Sequence, residues 1–172
     1  MVMHMLEAGG MAILTDHVRN ADEDNPQGYF EFEPVKNLGR DSSWIPQARG
    51  KAVKIISHLL VHLPPDEHYK IIFVHRDIRE IMASQQKMLE RRGTGNPAQD
   101  DAVLLQKFET HLKNIENWLG NQKHMECLSV QYRDIIAAPA WAAERIRDFL
   151  ELPLDTGRMA SSVDPGLYRN RG

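Results

Sequence analysis

A chain of 172 residues with 26% charged and 42% hydrophobic residues has the composition of a globular protein, not of a disordered or fibrous one. Its formal charge of −3 excludes a surface built to neutralise a nucleic-acid backbone or an anionic membrane, so any anion site must be local. A single cysteine, Cys127, excludes an internal disulfide and reads as a buried strand residue.

No run approaches the roughly 18 apolar residues of a membrane span. The opening MVMHMLEAGG also lacks the basic start and cleavage pattern of a secretory signal. The expected location is the cytoplasm, with neither membrane nor nucleic acid as partner. Length and the lack of a linker favour one domain over residues 1–172.

In chain order, MVMHMLEAGG reads as a helix with Met1, Met5 and Leu6 facing the core and Met3 as a further candidate. Strands follow at residues 11–15 and 52–57, separated by a loop at 22–28, DEDNPQG. A third strand at 70–75 leads to a helix at 78–89 marked by Ile78, Ile81, Met82, Gln85, Met88 and Leu89. After a second loop at 92–100, RGTGNPAQD, the spacing of Leu104, Phe108, Leu112, Ile115 and Trp118 predicts another amphipathic helix. A fourth strand at 127–132 precedes a helix at 139–150 with Ala142, Ile146, Phe149 and Leu150 inward, stopped by Pro153, and a loop-like tail at 155–172. Strands alternating with helices predict an α/β fold in three layers, a mainly parallel sheet flanked by helices.

The segment KIIFVHRDIREIMASQQKML is the most informative. It places Arg76 at the carboxyl edge of a strand, where open α/β sheets bind ligands. Asp77 and Glu80 have capping-box spacing, so a helix should start there with its amides facing the same crevice. Arg76 offers a planar fork to a phosphate and Ser84, eight residues on, adds a hydroxyl. The plain alternative is that Arg76 pairs with Asp77 or Glu80 and Ser84 only packs.

IIFVHRDIREIMAS resembles the 3′-phosphate-binding motif of P-loop sulfotransferases, a strand ending in Arg with Ser eight residues later. The resemblance implies a P-loop nucleoside triphosphate hydrolase-like fold. It also implies that Arg76 and Ser84 hold the 3′-phosphate of the co-substrate 3′-phosphoadenosine-5′-phosphosulfate, with sulfonate passing to a hydroxyl or amine acceptor. KIISHLLVHLPP resembles the strand and loop that carry the family's catalytic His, which puts His58 in the base position. The family's Lys two residues earlier is Ile56 here, with Lys54 the nearest lysine.

NPQGYFEFEP resembles an acceptor-side stretch of bacterial sulfotransferase-like proteins, making Glu31 and Glu33 alternative bases. LSVQYRDIIAAP resembles the strand whose Tyr lies close to the adenine, which assigns Tyr132. The tail VDPGLYRNRG is similar to the basic segment that reaches back over the 3′-phosphate, with Arg169 and Arg171 as contacts. Bland readings stand beside these: a strand-end His58 bonded to a carbonyl, a locally packed Tyr132, solvated carboxylates and a solvated tail. His62 is a weaker rival base. A metal site built on His58, His62 and His75 is rejected for want of Cys or carboxylate partners, so no metal is expected.

The family's first strand and its amide-lined 5′-phosphosulfate loop find no match, since the chain opens on what resembles the following helix. Either the start lies upstream or the chain is a shortened relative, and weak or no transfer is expected of these residues alone. The leading expectation is a sulfotransferase acting on a small-molecule, glycan or peptide acceptor, with an oligomer compatible. The alternative is a non-catalytic nucleotide-binding or interaction module that keeps the 3′-phosphate site. A nucleotide kinase-like phosphotransferase ranks last, lacking a Gly-x-x-x-x-Gly-Lys-Ser/Thr loop.

Overall fold

The computed structural model describes residues 1–16, 28–78, 80, 101–164 and 166. Its centre is a parallel pair, β1 (Tyr69–His75) beside β2 (Met125–Gln131), in register from Tyr69 opposite Met125 to His75 opposite Gln131. β1 is rich in β-branched and aromatic residues, β2 contributes Val130 with Met125 and Leu128, and the side chains of both alternate between two faces.

One face presents Ile72, Leu128 and Val130 to a cluster built on helices α1 (Val2–Ala8), α4 (Tyr132–Ala137), α5 (Pro139–Leu150) and α6 (Thr156–Ser161). Met5, Ile135, Ile146 and Met159 are its largest fully buried side chains. The opposite face presents Tyr69, Ile71 and Phe73 to a second cluster with Ile115 and Leu119 of α3 (Asp101–Leu119). That cluster also takes Val35 from a 3₁₀ helix at Glu33–Asn37, Ile45 from α2 (Ile45–Ala48) and Leu60 from a 3₁₀ helix at Ser57–His62. The result is the three-layer α/β arrangement of helix, sheet and helix.

The helices predicted at 104–118 and 139–150 are present, and α5 runs from Pro139 to Leu150. It ends at Glu151 in the left-handed region (φ 58°), ahead of Pro153. Lys70, at the start of β1, donates to the carbonyl of Phe149 at 2.8 Å, placing a cation at the negative end of α5. The helix predicted at 78–89 and the loops at 22–28 and 92–100 lie largely outside the described residues.

Four expectations need correction. The segments at 11–15 and 52–57 meet through one parallel bridge, Ile13 to Ala52, instead of extended strands. Ala52 donates to Ala12 and accepts from Leu14, and from Ser57 the chain coils into a 3₁₀ helix. Propensity for a pleated surface makes a strand only where a neighbour continues the ladder. The fourth strand starts earlier, at Met125, and ends at Gln131, so Tyr132 opens α4.

Cys127 is exposed, as are Ser129 and Gln131 on the same face of β2, because only Met125 of that face joins the second cluster. The tail is not loop throughout: the Asp155 side chain accepts from the Arg158 amide and starts α6. Met159 of α6 then packs on Gly9, where an added Cβ would fall 2.6 Å from its Cγ. No described helix is long and apolar enough to cross a membrane.

Candidate functional site

Parallel strands in register deliver the residues that follow them to the same place. His75 and Gln131 are the last rung of β1 and β2, so Arg76 and Tyr132 emerge side by side at their carboxyl ends. The Arg76 guanidinium lies over the Tyr132 ring, with Cζ 4.8 Å from the centroid. Its Nε faces the Glu80 carboxylate at 3.3 Å, and Glu80 has only 12% of its side chain exposed.

These residues border a pocket of about 610 Å³, inside the range of small-molecule sites. Leu105, Glu109 and Leu112 of α3 form its far wall. Burial pushes the Tyr132 hydroxyl above the usual tyrosine range; the Glu80 charge adds to this while Arg76 opposes it. Tyr132 therefore stays a neutral phenol, able to donate as well as accept.

His75, on the same rim, has Nε2 3.2 Å from Ser129 Oγ and 3.4 Å from Glu116. Both neighbours approach one ring nitrogen. A nucleophile relay needs the hydroxyl on one nitrogen and the carboxylate on the other, so this cluster is not built as one.

The other sequence candidates lie in two groups. Lys54 donates to the Tyr29 carbonyl at 2.6 Å and faces Glu31 at 3.5 Å, making these two one ion-paired unit. Glu33 instead pairs with Lys36 at 2.7 Å, at the start of a 3₁₀ helix, and its amide donates to Asp16. It is a local surface carboxylate.

His58 is exposed on the 3₁₀ helix at Ser57–His62, where its ring stacks on His111 of α3 with centroids 3.6 Å apart and planes 7° from parallel. The Ser57 hydroxyl lies 2.9 Å from His111 Nε2. Burial, with the nearby His58 adding to it, lowers the His111 pKa. Among the described residues, no group of His, Cys, Asp and Glu is placed to hold a metal. Ser84, Arg169 and Arg171 lie outside the described residues.

Sequence reasoning did not find His111 or the α3 wall. Leu105, Glu109 and Leu112 share one helical face by their i, i+4, i+7 spacing, a signal next to the stripe used to predict the helix.

The model of the sulfotransferase family matches residues 26–156. The chain belongs to the sulfotransferase family. No curated protein and no solved structure matches it. The matched span includes Glu31, Lys54, His58, Arg76, Ser84 and Tyr132, and stops before Arg169 and Arg171. The α/β architecture is of the sulfotransferase-like P-loop type, and the function is sulfotransferase-like, with a sulfonate donor as co-substrate.

Proposed function

We propose that the pocket beyond β1 and β2 holds the 3′-phosphate of 3′-phosphoadenosine-5′-phosphosulfate, and that the protein passes the sulfonate to a hydroxyl or amine acceptor. The observation that carries this reading is the fixed Arg76 fork. The cation–π contact with Tyr132 and the bond from Nε to Glu80 restrain it, while the two terminal nitrogens keep donors beyond that bond. Such a fork matches the paired oxygens of a phosphate.

Fit is also a matter of faces. Arg76 covers one face of Tyr132, so an adenine near this residue meets the other face or the ring edge. In the proposed step, the acceptor gives its proton to a base, and its oxygen or nitrogen forms a bond to sulfur. The sulfur–oxygen bond to the donor's 5′-phosphate breaks, and adenosine 3′,5′-bisphosphate leaves with that electron pair. His58 is the preferred base, because a neutral imidazole accepts a proton near pH 7 and its position is exposed. Glu31 is the second candidate, with Lys54 beside it.

Calorimetric titration with adenosine 3′,5′-bisphosphate and with AMP tests the donor site. The reading expects tighter binding of the bisphosphate by wild type and loss of that preference in Arg76→Ala. Equal affinity for both nucleotides in wild type contradicts it.

A further inference from the structure

The charge balance of the pocket raises a question about how it would select a phosphate. Among its described lining residues, Arg76 and Arg133 face Asp77, Glu80 and Glu109, so there is no positive excess. Among the described lining residues, then, recognition of an anion rests on the direction of particular donors.

Glu80 is the residue placed to set that direction. It stands one helical turn after Arg76, and its carboxylate is more buried than the guanidinium it contacts, 12% against 27% exposed. A carboxylate this withdrawn from water needs a partner, and it takes the Nε edge of Arg76. The guanidinium carbon also lies over the Tyr132 ring, 4.8 Å from its centroid. A hydrogen bond at one edge and a ring contact together restrain the group, and the terminal nitrogens lie beyond the bonded edge.

We infer that Glu80 is a positioning residue which selects nucleotides carrying a 3′-phosphate by aiming the Arg76 fork, not a competitor that the phosphate must displace. The inference rests on the donor-site reading above. What Glu80 contributes is an acceptor oxygen at the right reach, and its charge is secondary. Glu80→Gln keeps that oxygen, whereas Glu80→Asp keeps the charge and withdraws the oxygen by one methylene.

The test is calorimetric titration of the whole chain with adenosine 3′,5′-bisphosphate and AMP, for wild type, Arg76→Ala, Glu80→Gln and Glu80→Asp. The expected result is that Glu80→Gln keeps most of the preference for the bisphosphate, while Glu80→Asp loses about tenfold, the worth of one charge-assisted hydrogen bond. If Glu80→Asp keeps the preference and Glu80→Gln loses it, charge is the determinant and the inference is overturned. Tighter bisphosphate binding by both variants overturns it too, by making Glu80 a competitor. Should Arg76→Ala lose the preference while neither Glu80 variant does, the inference alone falls and the donor site stands. No preference in wild type removes both.

Discussion

Arg76 and Tyr132 follow different strands and meet with the guanidinium carbon 4.8 Å from the ring centroid, because β1 and β2 run parallel and end on the same rung. The contact predicts that Tyr132 acts through Arg76 as much as on the ligand. Tyr132→Leu should weaken binding of adenosine 3′,5′-bisphosphate by the worth of a cation–π contact, about 0.5–2 kcal/mol, while Tyr132→Phe keeps most of the affinity. Titration of both variants checks this, and equal losses would assign the effect to the hydroxyl.

Gly9 and Met159 give a prediction about the core. Gly9 has an ordinary helical φ of −73°, so what excludes a side chain there is the approach of Met159 and not backbone freedom. Gly9→Ala should destabilise the fold by about 1–3 kcal/mol through overpacking. Met159→Ala, at a fully buried position, should cost about 2–5 kcal/mol. In the double variant the costs should fall short of their sum, because the shortened side chain vacates the space the new methyl needs. Urea unfolding of the four proteins measures the coupling, and strict additivity would refute the contact.

The stacked imidazoles predict an acid-sensitive joint between the 3₁₀ helix at Ser57–His62 and α3. Burial, and His58 beside it, lower the His111 pKa in the fold below its ordinary value of 6.5. With a depressed folded pKa, the unfolded chain binds more protons between the two values, so stability is complete above about 6.5 and declines as the pH falls through the folded value. His111→Phe keeps a ring for stacking and removes the titration. Thermal unfolding from pH 8 to 5 should therefore show a smaller acid-side decline in His111→Phe than in wild type, and parallel curves would exclude this role.

What could be read from the sequence follows the reach of each signal. The 3.6-residue stripes through Phe108, Leu112 and Ile115 and through Ala142 and Ile146 persist in α3 and α5, since an amphipathic face keeps its meaning whichever layer covers it. The segment around Ala52 is β-branched too, yet forms one bridge, because composition does not encode the neighbouring strand. α6 is too short for a periodic signal, and Asp155, which caps it, reads in the sequence as the start of a loop-like tail.

In the site, the strand edge at Arg76 and the position of Tyr132 were legible, and the fold brings them together. The stacking of His58 on His111 depends on long-range topology, and the spacing of Leu105 and Glu109 gives them a common helical face without saying that it borders the pocket. Glu80 was legible as a partner of Arg76, but only the geometry shows which edge of the guanidinium it takes.

The central claim is that Arg76 grips the 3′-phosphate, and phosphorus NMR of adenosine 3′,5′-bisphosphate reads the two phosphates of one ligand separately. Titrating wild type should shift and broaden the 3′-phosphorus resonance, and Arg76→Ala should abolish that response. A response confined to the 5′-phosphorus, or a 3′ response that survives in Arg76→Ala, would contradict the account.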